Sequence, residues 1–391
     1  MYSYSERLSW SFSHNSFSRL VENRRKAGVP LIDLTVSNPT ETFRDYPHAA
    51  IGCAYANIKD FAYRPDPLGA RESRVAVARY YEKRKISISP DHILLTASTS
   101  EAYSLLFKLF CNSGDEILVP VPSYPLLEYL AALESARIVP YRLIYDGSWY
   151  IDFGHLRRQI SPRTRAVVVV NPNNPTGSFL KRCEAEPLLN IAQEHSLPII
   201  SDEVFMDYSF GAGADRVKTL IGHDSALSFS LHGLSKAAGM PQMKVAWIAV
   251  NGPQQHRETA RERLELLLDT YLSVATPVQR ALPELLHIGE GTQRQIQLRT
   301  AQNVRALHNL LQDSPACCLH CEGGWSAIIQ LPRRLPEEEW ITRLLNEQHV
   351  IVQPGYFFDM ASEAYVVVSL ITPADEFAEG IHRLRHLSLN V

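Results

Sequence analysis

The sequence predicts an α/β protein in which a large, doubly wound, mostly parallel-sheet domain is joined to a smaller α+β domain. Three observations carry this reading. Short β-rich runs alternate with helical patterns along much of the chain. One of them, Val167-Val168-Val169-Val170, is apolar on consecutive residues, as a strand buried on both faces of a parallel sheet is. Three chemically distinctive residues, Asn174, Asp202 and Lys236, each follow a separate strand-like run, and strand ends in an open α/β sheet converge on one crevice.

The elements follow in order. Strands are expected at 93–96, 116–119, 166–170, 198–201, 226–230 and 245–250. Residues 101–110 carry apolar side chains on one side at helical spacing. This alternation places the large domain at 46–280. In the remainder, 281–391, a long helix is expected at 293–311 and a shorter one at 337–346, with strands at 326–331, 349–352 and 365–370. No internal repeat or low-complexity segment is visible.

Composition narrows the class. The chain of 391 residues is 45% hydrophobic and 21% charged, ordinary for a globular protein of two or three domains. A net charge of -3 gives no reason to expect nucleic acid or an anionic membrane as partner. No run of about 18 apolar residues suggests a membrane span. The start, Met1-Tyr2-Ser3-Tyr4-Ser5-Glu6-Arg7, lacks a basic segment followed by an apolar core, so a cytoplasmic protein is expected. Six cysteines in so long a chain do not make a disulfide scaffold. The cluster Cys317-Cys318-Leu319-His320-Cys321 has no second ligand pair at zinc-finger spacing. It reads as a strand running into Glu322-Gly323-Gly324-Trp325, and no metal is expected.

The crevice residues fit one cofactor, pyridoxal 5'-phosphate (PLP). A desolvated lysine attacks the cofactor aldehyde to form a Schiff base. A carboxylate beside the pyridine nitrogen keeps that ring an electron sink. An asparagine amide donates to the ring phenolate. Each residue also has an ordinary reading: a lysine after a turn, an aspartate capping a helix, a Pro-Asn-Gly turn. Their order along the chain is what argues for chemistry.

Asn171 to Gly177, Ser201 to Val204 and Leu234 to Lys236 resemble the signature motifs of PLP-dependent aminotransferases of fold type I, class I/II, the aspartate/alanine aminotransferase-like superfamily. The resemblance runs from Ser37-Asn38-Pro39 to Pro354-Gly355. It implies fold type I, with 1–45 joining 281–391 in the small domain, and a homodimer whose active sites are each built from two subunits. It implies that Lys236 and Asp202 are catalytic and hold PLP with Asn174. Ser98 and Thr99, in Thr96-Ala97-Ser98-Thr99-Ser100-Glu101, match the loop that cradles the phosphate. Their spacing also reads as a helix cap. Tyr124 matches the aromatic stacked on the ring, and otherwise reads as a core tyrosine. Tyr63 resembles a tyrosine that reaches the neighbouring subunit's phosphate, and otherwise reads as a turn residue before Pro65. Ser37, Asn174 and Trp325 are candidate substrate-binding residues.

The chain departs from the family at four positions. Lys244 stands where an arginine usually meets the phosphate, keeping charge but losing the bidentate fork. Gly233 replaces a common serine. Phe205 replaces a tyrosine that donates to the ring phenolate, which should raise the Schiff-base pKa. Val367, in Tyr365-Val366-Val367-Val368-Ser369, stands where the pattern Tyr-x-Arg-x-Ser puts the arginine that clamps the substrate carboxylate. The expected function is a ping-pong aminotransferase moving an amino group between an amino acid or amine and a 2-oxo acid. The missing arginine leaves open a PLP-dependent β-lyase, decarboxylase or racemase on the same fold. A PLP-sensing DNA-binding regulator is disfavoured by the short segment before Ser37 and the lack of a basic block.

Overall fold

Apolar runs of four to six residues, too short for helices and bounded by turns, become the strands of the central sheet. In the structure, a computed structural model that describes every residue except 1, 3, 9, 11–15 and 212, these strands are β1 (Ile93–Thr96), β2 (Glu116–Val121), β3 (Arg137–Tyr145), β4 (Trp149–Ile151), β5 (Thr164–Val170), β6 (Ile199–Asp202), β7 (Ser228–Gly233) and β8 (Ala246–Asn251). Their order across the sheet is β1-β8-β7-β6-β5-β2-β3-β4. All run in one direction except β8, antiparallel to β1 and β7, and β4, antiparallel to β3. The valine run behaves as its pattern requires. Val168 packs on one face with Phe107 and Leu264, while Val167 and Val169 pack on the other with Leu188 and Leu220.

The hairpin of β3 and β4 was not among the expected strands. It lies at the sheet edge, where the exposed Arg137, Pro140 and Arg142 break its apolar residues into short pieces. The other large-sheet strands lie where the sequence places them, within a residue or two at most ends.

The smaller sheet holds β9 (Cys317–Cys318), β10 (Ser326–Gln330), β11 (Gln353–Pro354) and β12 (Tyr365–Ser369), in the antiparallel order β9-β10-β12-β11. Helices Glu337–Glu347 and Ala374–Leu389 bury Trp340, Leu344, Phe377 and Ile381 in its core. Phe17 and Leu34 from the N-terminal segment join the same core, and Ile32–Asp33 pairs in parallel with Val350–Ile351.

The long helix begins earlier than expected, spanning Thr276–Leu311 rather than 293–311. Pro283 and two glycines made its first half look broken. Burial overrides them: Val278, Ala281, Leu282 and Leu285 pack beneath the large sheet, and Val304, Leu307 and Leu311 pack in the small-sheet core. The expected domain boundary at 280/281 therefore falls inside one continuous helix. Gly289 permits its closest approach, since a Cβ there would sit 2.3 Å from the Ala238 Cβ. Ala238 lies two residues beyond Lys236, so this contact helps to fix the segment that follows the lysine. No described helix is long and apolar enough to cross a membrane.

Candidate active site

The parallel strands deliver their C-terminal ends to one cavity of about 420 Å³, within the usual range for small-molecule sites. Asp202 is the last residue of β6, registered against Val170 of β5 and Leu231 of β7. Lys236 lies in a short helix, Leu234–Ala237, that begins where β7 ends. Asn174 lies beyond the end of β5. Ser98 and Thr99 stand between β1 and the helix Thr99–Phe110, and Tyr124 stands just beyond β2. Because β8 runs the opposite way, Lys244, just before it, returns to the same side of the sheet. Ser37, Ser98, Thr99, Tyr124, Asn174, Asp202, Lys236, Lys244 and Trp325 all line this cavity. Tyr63 does not. It is exposed and lines a separate cleft with Leu272 and Gln279.

Lys236 Nζ lies 4.3 Å from the centre of the Trp325 ring and 5.4 Å from that of Phe205. Burial lowers its pKa to about 8, although the Asp202 carboxylate pulls the other way. A lysine near this value is partly neutral at physiological pH and therefore nucleophilic. The backbone beyond it is tied down by three side chains. Tyr208 Oη donates to Lys236 O at 2.6 Å, Gln293 Nε2 to Ala237 O at 2.7 Å, and Tyr46 Oη to Gly239 O at 3.0 Å. Gln293 also donates to Asp207 Oδ2 at 2.8 Å, and Arg84 Nε holds Asp207 Oδ1 at 2.5 Å. A half-buried ionic pair thus stiffens the lysine segment from behind.

Asp202 Oδ1 accepts from the Val204 N–H at 3.2 Å, and Oδ2 accepts from Tyr103 Oη at 3.0 Å. Burial raises the carboxyl pKa, and the two hydrogen bonds oppose it. Tyr103 was missed by the sequence reading. It sits in a helix with one apolar side, where a tyrosine reads as core, and nothing local couples it to Asp202. It is buried, and its own pKa is driven well above the usual phenol value by burial and the neighbouring carboxylate.

The phosphate candidates form a second group. Ser98 Oγ accepts from Glu101 N at 3.1 Å, so the helix cap expected at this spacing is present. Thr99 and Ser100 line the cavity at the start of a twelve-residue helix, where backbone N–H groups suit an anion. Lys244 adopts a left-handed backbone conformation at φ 54°, uncommon for a non-glycine residue, and makes no ion pair among the described residues. Gly233 explains its own departure from the family. A Cβ there would meet the Ala246 Cβ at 2.8 Å, so the β7–β8 contact leaves no room for a serine.

Val367 is fully buried. It packs with Trp149, Leu319, Ile328 and Phe358, and is registered between Ile328 and Gln353. The place where an arginine was expected is therefore an apolar core. Cys317, Cys318 and Cys321 follow the strand and turn of the small-sheet edge. Cys321 Sγ points to Gly323 O at 3.2 Å, and no group of metal-ligating side chains is found among the described residues.

A lysine and an aspartate at neighbouring strand ends, a cation with no ion pair among the described residues and a helix start share one cavity, a set of groups of the kind an anionic aldehyde cofactor needs. By its match to the family model for aminotransferases of class I and II over residues 30–384, the chain belongs to that family, and these are PLP enzymes. The glutamate-pyruvate aminotransferase AlaA of Escherichia coli is 29% identical over 66% of this chain and 64% of its own length, so the matched region spans less than two thirds of that relative. Its namesake in Haemophilus influenzae is 23% identical over 95% of this chain and 93% of its own. Among solved structures, an alanine aminotransferase from Pyrococcus furiosus superimposes with a TM-score of 0.89 at 26% identity over all of both chains. An aspartate aminotransferase variant from Thermus thermophilus shares the fold, with a TM-score of 0.85 at 22% identity over 99% of this chain and 100% of its own.

Proposed function

We propose that this protein is a PLP-dependent aminotransferase that moves an amino group between an amino acid or amine and a 2-oxo acid in two ping-pong stages. The observation that carries the reading is the meeting of Lys236, with its pKa lowered to about 8, and Asp202 in one cavity. The residues present fit the cofactor. Lys236 would carry it, Asp202 would face its ring nitrogen, and Asn174 and Tyr124 would orient the ring. Ser98, Thr99, Lys244 and, from a second subunit, Tyr63 would hold the phosphate. When bound, the cofactor supplies an electron sink for the substrate Cα.

The protein's own groups do the rest. Lys236 Nζ takes up the proton released at the substrate Cα and is near enough to neutrality to do so around pH 8. Tyr103 and the Val204 N–H fix the Asp202 carboxylate. Trp325 and Phe205 flank the lysine Nζ with their rings. Ser37, Asn174 and Trp325 would meet the substrate. We place the large domain at 46–280 and the small one at 1–45 and 281–391, with α-helix Thr276–Leu311 shared between them. A cytoplasmic homodimer is the assembly this reading favours. The test is a half-reaction: mix loaded enzyme with single amino donors, follow the cofactor spectrum, then add a 2-oxo acid. Conversion to the aminated cofactor and its reversal by the oxo acid is the expected result. Release of ammonia or carbon dioxide in place of reversal would favour a lyase or decarboxylase.

A further inference from the structure

We propose that the amine this cavity selects carries an uncharged apolar group and needs no carboxylate on its reacting carbon, an inference that rests on the transaminase reading above. The cavity is asymmetric in charge. Asp202, Lys236 and Lys244 are its charged side chains among the described residues, and all three stand at the end formed by the large sheet. The opposite end offers only neutral groups from this chain's described residues. Ser326 and Ser369 are register partners on β10 and β12, and Gln353 lies on β11. The Trp325 Nε1 donor is buried without a partner among the described residues, so a ligand acceptor has an uncharged group to meet.

The next wall is apolar. Leu126, Leu130, Phe357 and Phe358 line the cavity beside Tyr124. Behind it, Val367 closes the place where a guanidinium would emerge. Arg299 stacks on Phe43 at 5.0 Å and is not part of the lining. Hydrogen bonds from neutral donors hold a carboxylate much less firmly than a bidentate guanidinium does. A donor without a carboxylate forgoes nothing in such a rim, and its apolar group gains burial against the leucines and phenylalanines. The 2-oxo acid that completes the cycle meets the same neutral rim and so binds weakly. In the overall exchange, R–CH2–NH2 and a 2-oxo acid trade nitrogen for oxygen to give R–CHO and an amino acid. The amine carbon loses two electrons, the oxo carbon gains them, and no outside oxidant enters.

Matched pairs test this on the cofactor-loaded enzyme: 2-phenylethylamine against phenylalanine, and 3-methylbutylamine against leucine. The expected half-reaction kcat/KM for each amine equals or exceeds that of its acid, or falls short by less than tenfold. A preference for the acid of tenfold or more overturns the proposal. Its loss in Arg299→Ala would then identify the missing guanidinium. Calorimetric binding gives a readout free of turnover. 3-Phenylpropanoate and 3-phenylpropanol are expected to bind within tenfold of each other, and a tighter grip on the carboxylate overturns the proposal. If acids alone convert, the transaminase reading stands and only the substrate class falls. If neither class converts while the cofactor stays bound, both fall.

Discussion

The two ends of this cavity are built from opposite materials. The large-sheet end presents charge, and the fold braces two of its three groups: Asp202 by Tyr103 and Val204, and the Lys236 segment by Tyr208, Gln293 and Tyr46. The small-sheet end presents serines, a glutamine and an apolar wall. The contrast separates what the chemistry demands from what the substrate demands. A cofactor that stays through every turnover needs its charges met by rigid partners. A substrate that comes and goes is chosen by the other end, and there this chain has replaced an ion-pairing position with core.

The sharpest way to break the contrast is to put charge into the neutral end. Val367→Arg would bury a guanidinium among Trp149, Leu319, Ile328 and Phe358. It should destabilise the protein by about 3–5 kcal/mol, seen as a lower denaturation midpoint, without raising turnover. A stable variant with better activity toward amino acids would mean that the cavity was poised for an arginine after all.

At the charged end, Asp202→Asn should keep the cofactor but lower turnover by roughly 10²-fold or more, because an amide cannot hold a protonated ring nitrogen. Near-normal turnover would show that Asp202 is not the ring partner.

Glu203, next in sequence, probes the same end through stability. Its Oε1 accepts from Ser201 Oγ, Leu220 N and Ser230 Oγ, its Oε2 has no partner among the described residues, and burial pushes its pKa from 4.5 up to about 7. Between those values the folded protein keeps a proton that the unfolded chain releases. Stability from this group is therefore full below pH 4.5 and is lost as pH rises through 7. Glu203→Gln should flatten that slope, a change of roughly 1–3 kcal/mol over the window in chemical denaturation. An unchanged slope would place the titration elsewhere.

The smallest expected effect belongs to Tyr103→Phe. Losing one hydrogen bond to Asp202 should lower turnover by about three- to tenfold. The acid limb of the pH profile should move upward, because that bond holds the carboxyl pKa down. A stability loss with an unmoved profile would reduce Tyr103 to packing.

Much of this contrast was legible in the sequence, and the physical reasons show where legibility stops. Lys236, Asp202 and Asn174 announce themselves because each follows a run whose pattern fixes a strand end. Val367 was legible as a departure because its neighbours Tyr365 and Ser369 fix its place. Tyr103 was not, since its partner lies on another strand. In the β3–β4 hairpin, exposed Pro140 and Arg142 interrupt the apolar residues that would have marked a strand. The first half of helix Thr276–Leu311 was hidden by Pro283, Gly289 and Gly291, while Val278, Leu282 and Leu285 hold it in place by tertiary packing. Tyr63 shows the limit in the other direction, because its expected role concerns a second subunit and its own chain leaves it away from the cavity.

Lys236 is the residue proposed to carry the cofactor. Borohydride reduction of the loaded enzyme, followed by peptide mapping, measures this directly. The result predicted is a single pyridoxyl label on Lys236, in the peptide containing Leu234-Ser235-Lys236. A label on Lys244, or on any other lysine, would contradict it.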